Sequence, residues 1–537
     1  MLRAKVKVDA GRDPLDVLRV IPRLEVGPVR LDGNRVTAPY MVSQNGKTDT
    51  MELVYRFEEN VFVPDDGDAI NLAGMLSAQV ALNYGLFCDE IIFHGRFDRD
   101  DRRFIKEMAT NTAREIFVKK FLEPNSFLLE QVATLPPVRR ESYLRARLLF
   151  PDEQRPKGPT LRKVRSPRCG ATHWHGDPSQ HAVLSSGGKD SLLTFGLLKE
   201  IGCKIHPVFV NESGRHWFTA LNAYRHFADH IPNTARVWTN ADRVFNWMLR
   251  HLPFVRQDFE RVRSDQYPIR LWTVAVFVFG ALPLLKKRGI GRLVIGDEFD
   301  TTRRLSFCGI THYDGLYDQS RYFDHILTRY FHRKGWGISQ FSVIRPLSEI
   351  LVQKTLIERY PELQCHQVSC HASHKQGNRV LPCGDCEKCR RIVGMLAAIG
   401  ADPTLGGYSV KQITRCLKNL PKTGLHQETE GIAHLAFLLI EKGLIPEPFI
   451  GAVHARQRPE IMKLRFDPQR SPVEGIPVDL RLPLYRIYLE HTDGVVKRRG
   501  RTWLHCDLFN DTAVQRPYPF ELLGNASLDE RRAPRYG

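Results

Sequence analysis

The residues with the clearest chemical potential are "SSGGKDS", Ser185 to Ser191. They follow the apolar run "HAVL" (181–184) and precede the helical pattern "SLLTFGLLKEIG". A strand, a glycine loop and a helix together make a phosphate cradle. Gly187 and Gly188 let the backbone approach an anion and adopt positive φ. Amide groups at the helix start point at that anion, and the helix dipole adds to the attraction. Lys189 supplies a full positive charge, and the hydroxyls of Ser186 and Ser191 supply further donors. A plain glycine turn capped by serines is the competing reading. The loop is not of the Walker type, G-x-x-x-x-G-K-[ST]. Here the glycines are adjacent, and Asp190 separates Lys189 from Ser191.

Two other strand ends should meet this loop, because ligands of open α/β sheets bind at the carboxyl ends of strands. "KIHPVFV" (204–210) places Phe209, Val210 and Asn211 near an adenosine. "RLVIG" (292–296) delivers "GDEFDTTRR" (296–304), in which Gly296 permits close approach and Asp297 and Asp300 could serve magnesium. Two capped-loop acids are the simpler alternative.

A second chemical cluster lies downstream. Cys365, Cys370, Cys383, Cys386 and Cys389 fall within one short segment. The last three are spaced by two residues, with Gly384 for a tight turn. Such a knuckle with one upstream thiolate closes a tetrahedral structural zinc site. Cys370 is the expected fourth ligand; Cys365, His366, His371 and His374 compete with it. Iron–sulfur is the second metal to consider, and free buried thiols are the bland alternative.

The elements that must position these groups follow from pattern. Residues 1–150 read as an N-terminal α+β domain that opens with alternating, antiparallel-type strands. A strand at 90–95 and a charged helix at 99–121 follow. Residues 151–180 are rich in Pro, Gly, Arg and Ser and read as a linker. Residues 181–400 alternate strands and helices, the signature of a parallel α/β sheet, with one long helical region at 217–288. Residues 401–537 read as a mostly helical or irregular extension, with a clear helix at 431–443 and a frayed tail, "GNASLDERRAPRYG".

The 537 residues carry a formal charge of +18, and 42% are hydrophobic. That composition excludes a disordered chain, and the basic excess suits a polyanion such as ATP or RNA. The chain opens without an apolar signal region, and its longest apolar stretch, 271–285, is short of the roughly 20 residues of a membrane span. A cytoplasmic protein with no membrane partner is expected. In that reducing compartment the cluster among its 11 cysteines suggests a metal rather than disulfides.

"SGGKDS" closely resembles the loop of the PP-loop ATP pyrophosphatases. The resemblance implies an adenine nucleotide α-hydrolase-like sheet that holds the β and γ phosphates as pyrophosphate. It also implies cleavage at the α phosphate, which leaves an adenylylated substrate. With the four cysteines, residues 181–395 resemble 7-cyano-7-deazaguanine synthase. "YPIRLWTVAVFVFGA" is similar to that family's Pro-x-Arg segment, here Pro268 and Arg270. "VIGDEFD" is similar to its strand and Gly loop, and "IRPLSEILVQKTLIER" to its Pro-Leu segment, here Pro346 and Lys354. The resemblance implies Lys189, Asp190 and Ser191 as catalytic residues. Lys189 would stabilise leaving pyrophosphate, and Asp190 would orient the loop or bind Mg2+. It implies ATP contacts at Ser186, Gly187, Gly188, Val210, Asn211, Arg270 and Gly296, with Zn2+ on the cysteines. In that family a carboxylate on 7-deazaguanine is adenylylated and ammonia attacks to give an amide; a second ATP activates the amide, and loss of AMP gives the nitrile. This chain departs from the family pattern at Leu271 and Glu298, in the longer Cys370–Cys383 gap, and in its two flanking extensions. Those departures leave the ATP step intact and the acceptor open. Enlarged relatives in bacterial antiphage operons imply a protein amine as acceptor, and a homodimer is also open.

Three rivals carry distinguishing features. A tRNA-modifying PP-loop thiolase explains the basic excess but needs a cysteine pair beside the nucleotide, which Cys203 and Cys308 do not form. A glutamine amidotransferase of the N-terminal type needs cysteine where Leu2 stands. A non-catalytic nucleotide sensor does not require the intact loop residues that are present here.

Overall fold

A computed structural model describes residues 13–520 apart from 64, 131, 133, 152–173, 213–215, 263–267 and 371. Most of the expected linker, the expected frayed tail and His371 therefore lie outside the described residues.

The strands in chain order are β1 (Ile21–Val26), β2 (Arg30–Asp32), β3 (Arg35–Gln44), β4 (Lys47–Phe57), β5 (Cys88–Phe93), β6 (Arg147–Leu149), β7 (Asp177–Leu184), β8 (Lys204–Glu212), β9 (Ala235–Thr239), β10 (Ile290–Val294), β11 (Arg304–Phe307), β12 (Ile310–Tyr313) and β13 (Ser339–Phe341). One 11-stranded sheet runs β13-β10-β7-β8-β9-β4-β3-β1-β5-β6, with β2 beside β3. The block from β13 to β9 is parallel throughout. All five residues of β10 are buried, as a strand covered by helices on both faces requires. β4 pairs antiparallel with β9, so the first strands of the chain continue the same sheet. Their antiparallel core is β1, β3 and β4, while β5 and β6 add in parallel beside β1.

The helices are α1 (Gly67–Ala78), α2 (Arg99–Ile116), α3 (Lys189–Glu200), α4 (His216–His230), α5 (Ala241–Arg250), α6 (Val274–Arg288), α7 (Arg321–Arg333), α8 (Glu349–Arg359), α9 (Pro361–Gln364), α10 (Glu387–Ile399), α11 (Val410–Asn419), α12 (Thr429–Glu441) and α13 (Val478–Glu490). From residue 274 on, the apolar stretch at 271–285 lies in the buried helix α6. Its first turn is capped by the Asp318 carboxylate, which accepts from the amides of Thr273 and Ala275. It ends on Gly289 in the left-handed region, after Lys286, Lys287 and Arg288. Among the described residues no helix is long and apolar enough to cross a membrane.

The region 217–288, expected as one helical run, is instead α4, β9, α5 and α6. The strand "ARVWT" is only five residues long, and its alternating burial is too brief a pattern to stand out between two helices. The C-terminal part is also more ordered than its sequence suggests. The hairpin β14 (His374–Gln376) with β15 (Arg379–Leu381) precedes it; beyond the hairpin β16 (Phe449–Ile450) with β17 (Val453–His454), it builds a three-stranded sheet. That sheet is β18 (Leu464–Phe466), β19 (Val495–Arg499) and β20 (Thr502–His505).

Candidate nucleotide site and cysteine centre

The glycine loop leaves β7 at Leu184 and enters α3 at Lys189, with Gly188 as the N-cap. Gly187 has φ +73, and a Cβ there would lie 2.7 Å from the Ala220 Cα and the Thr219 carbonyl oxygen. Only glycine fits that turn. The Ser191 hydroxyl donates to the Gly188 carbonyl at 3.1 Å and so closes the loop on itself.

Lys189 is the electrostatic centre. Its side chain is 6% exposed, with Nζ 2.7 Å from Asp190, 3.2 Å from Glu349 and 3.9 Å from Glu298. Burial opposes its charge, but the carboxylates of Asp190, Glu349 and Glu298 outweigh burial and keep the ammonium protonated. Glu298 is pushed up to about 7, first by burial and then by Asp190, with Lys189 acting in the opposite direction. Burial also opposes ionisation of Glu349, but Arg391 and Lys189 hold its carboxyl below the usual range.

A carboxyl with a raised folded-state pKa binds its proton more tightly folded than unfolded. Its contribution is therefore lost as pH rises from the ordinary glutamate value through about 7. Glu298→Gln should flatten stability across that window. Wild type should show a slope of at most about 1.4 kcal/mol per pH unit from this group. Urea melts at several pH values between 5 and 7.5 check this, and an unchanged slope in the variant would refute it.

Gly296 serves close approach within the protein. A Cβ there would stand 2.6 Å from the Asp190 carbonyl oxygen and 2.9 Å from the Thr194 hydroxyl. The obstacle is backbone, which cannot swing aside. Gly296→Ala should therefore push the 296–300 loop off α3 and cost about 1–3 kcal/mol, measured by denaturant unfolding, with weaker nucleotide binding.

Asp297 is buried, and neither carboxylate oxygen has a hydrogen-bond partner. Burial drives its pKa well up, despite Arg345 at 3.6 Å. A buried carboxylate beside the glycine loop that makes no hydrogen bond and has only the ion pair with Arg345 could serve as a donor for a divalent cation. Asp300 sits differently. It lies 3.3 Å from Arg465, which in turn lies 2.9 Å from Glu428. Arg465 also stacks on Phe299 at 3.8 Å. The structure thus places Asp300 in a buried ion cluster with the C-terminal extension and does not bring it to Lys189.

At the end of β8, the Asn211 side-chain oxygen is buried without a partner. Phe209 is core, while Val210 lies near Gly280 and is half-buried. Arg270 is buried against Glu212 at 2.6 Å and over the Phe245 ring. Lys354 donates to the His491 carbonyl and lies outside the charge cluster around Lys189. The cluster contains two groups that the sequence reading passed over, Glu349 and Arg391. Glu349 has a readable position, the first helical residue after the capping Ser348, but nothing local marks its partner.

The sulfurs of Cys370, Cys383, Cys386 and Cys389 all lie within 4.8 Å of one another. Cys383–Cys389 and Cys370–Cys386 are each 3.8 Å apart. A tetrahedron with bonds of about 2.3 Å has edges of about 3.8 Å, so the set fits zinc. Amides of Cys383 and Cys386 donate to the Cys370 and Cys383 sulfurs, which favours thiolates. Gly384 has φ +67, and a Cβ there would strike Gln412. Cys365 instead contacts the Glu362 carbonyl.

Against this geometry, one comparison is informative. A 7-cyano-7-deazaguanine synthase from Chlorobium luteolum is a relative of this chain. The two are 28% identical over 220 residues, which is 39% of this chain and 88% of the relative. No protein-family model matches the chain. The relative is an enzyme, a synthase, and the matched share is about the size of the α/β part that carries the loop and the cysteines.

Proposed function

We propose that this chain is a PP-loop ATP-dependent enzyme that adenylylates a carboxylate on a 7-deazaguanine-type small molecule and passes it to an amine. The observation that carries the reading is Lys189. It is a buried ammonium at a helix N-terminus in a glycine loop, with the carboxylate of Asp297, which makes no hydrogen bond, just past the end of the neighbouring strand. Loop amides and Lys189 would take the β and γ phosphates, and Asp297 would hold Mg2+, which neutralises phosphate charge. The substrate carboxylate attacks the α phosphorus, the bond to the bridging oxygen breaks, and pyrophosphate leaves with its negative charge matched by Lys189. No side-chain nucleophile is needed. An amine then displaces AMP to give an amide. With ammonia as the amine, the product is an amide; a second ATP would then adenylylate the amide oxygen, and loss of AMP and a proton would give a nitrile of the kind the relative's name describes. With a protein amine, the product is a conjugate, which would give the extensions a role. The domain limits 1–150, 181–400 and 401–537, the zinc on the four cysteines, and a cytoplasmic setting belong to this same proposal.

The test is to incubate the pure chain with ATP, Mg2+ and 7-carboxy-7-deazaguanine, with and without ammonium, and to follow pyrophosphate and product mass. Pyrophosphate release that depends on the deazaguanine supports adenylylation. Release without nitrile favours conjugation. Release indifferent to every deazaguanine removes this substrate class.

A further inference from the structure

The cysteine centre and the nucleotide loop are joined by a chain of charges. The two oxygens of Glu349 are divided between two cations. Oε1 lies 3.2 Å from the Lys189 ammonium, and Oε2 lies 3.4 Å from Arg391. All three side chains are largely buried, with Glu349 at 4% and Arg391 at 17% exposure. Arg391 stands on α10, the helix whose N-cap is Cys386 and whose first turn holds Cys389. Its Nε also lies 3.6 Å from Glu387 on the same turn. A second link runs in parallel. The Val368 amide donates to the Gly187 carbonyl at 3.4 Å, two residues before Cys370. The neighbouring Ser369 hydroxyl sits 3.8 Å from where a Gly188 side chain would begin.

A carboxylate bridged at both oxygens has its plane fixed. A lysine tethered to a fixed carboxylate loses much of the freedom of its long stem before the nucleotide arrives. We infer that Glu349 and Arg391 are positioning residues for Lys189, and that the cysteine knuckle sets the nucleotide loop through them. The inference rests on the adenylylation reading and goes beyond it, because neither residue need touch ATP.

Charge alone predicts the opposite pattern from positioning. Removing Arg391 takes a cation from the phosphate site, and removing Glu349 takes an anion, so a pure field effect moves the two variants in opposite directions. Positioning moves both the same way. The experiment measures kcat and KM for ATP in pyrophosphate release by the full-length chain, with 7-carboxy-7-deazaguanine and Mg2+. The chains compared are wild type, Arg391→Met, Glu349→Gln and the double variant, with metal content determined on each. Both single variants should lose on the order of 100-fold in kcat, with KM for ATP changed by less than about threefold and the metal retained. The double variant should be no worse than the poorer single one, because the two residues act as a unit. Arg391→Lys covers the case in which Met does not fold; it should recover part of kcat, since one ammonium cannot reproduce both guanidinium contacts. Unchanged kcat in the singles, opposite-signed effects, or losses that add in the double variant would each overturn the inference. A wild-type chain that releases no pyrophosphate overturns the adenylylation reading and this inference with it. Wild-type turnover beside unaffected variants overturns this inference alone.

Discussion

Lys189→Met should abolish ATP-dependent pyrophosphate release, with kcat falling on the order of 1,000-fold. The ammonium is the full positive charge that α3 brings to the loop, and under the proposed adenylylation leaving pyrophosphate would develop charge beside it. The substitution has a second consequence, on stability. Three carboxylates, Asp190, Glu349 and Glu298, lie within 3.9 Å of Nζ. Breaking a buried ion pair on one side costs about 3–5 kcal/mol. Here part of that is recovered, because Glu298, already at about 7, takes up a proton when its cation is gone. The sign follows from linkage. Losing Lys189 raises the folded-state pKa values of the remaining acids. The variant should then approach wild-type stability at low pH and fall progressively below it as pH rises toward 8. Urea melts across that range, beside pyrophosphate assays, read both effects. A variant as active as wild type sinks the catalytic role. Equal stability at pH 8 sinks the electrostatic account of the cluster.

How much of this was legible in the sequence can be argued residue by residue. The strand, glycine loop and helix were legible because that arrangement is local. Gly187, Gly188, Lys189 and Ser191 are contiguous, and their strand and helix flank them directly. The cysteine cluster was legible for the same reason, and Cys370 falls in it while Cys365 does not. Asp300 shows the limit. By sequence it is an acid on a loop entering the nucleotide edge, equal to Asp297. Its partners, Arg465 and Glu428, lie far along the chain, and only the fold reveals that its carboxyl is held there. Asp297, three residues earlier, is left with no hydrogen-bond partner. Glu349 was quoted within its segment and passed over, because its significance depends on Lys189 and Arg391, both remote in sequence.

The fold had the same boundary between local and remote. β7, β8 and β10 announce themselves as apolar runs. That β4 of the N-terminal part would hydrogen-bond to β9 is a pairing across about 180 residues, and no pattern within either strand encodes it. The C-terminal extension is also tied to the site. Trp503 of β20 packs on Phe299 at 5.9 Å, and Arg465 covers the same ring. The loop that carries Asp297 and Glu298 is therefore gripped from outside the α/β part.

Cys386→Ser should release the metal and destabilise the region around α10. Cys386 is both a member of the sulfur cluster and the N-cap of that helix. With three thiolates left, the tetrahedron loses an edge of 3.8 Å to Cys370. Structural zinc contributes about 10–16 kcal/mol of apparent binding free energy in isolated fingers. The loss here should be smaller, because Val393, Leu396, Leu435 and Leu439 form an apolar core around the knuckle that remains without metal. Elemental analysis should find about one equivalent of zinc in wild type and in Cys365→Ser, and little in Cys386→Ser. The denaturation midpoint should fall only in the last. Full metal in Cys386→Ser, or metal lost from Cys365→Ser alone, would show that a different set of ligands holds the ion. Pyrophosphate release should fall together with metal content in Cys386→Ser, because Val368 directly, and Arg391 through Glu349, connect the glycine loop to the two chain segments that carry the sulfurs.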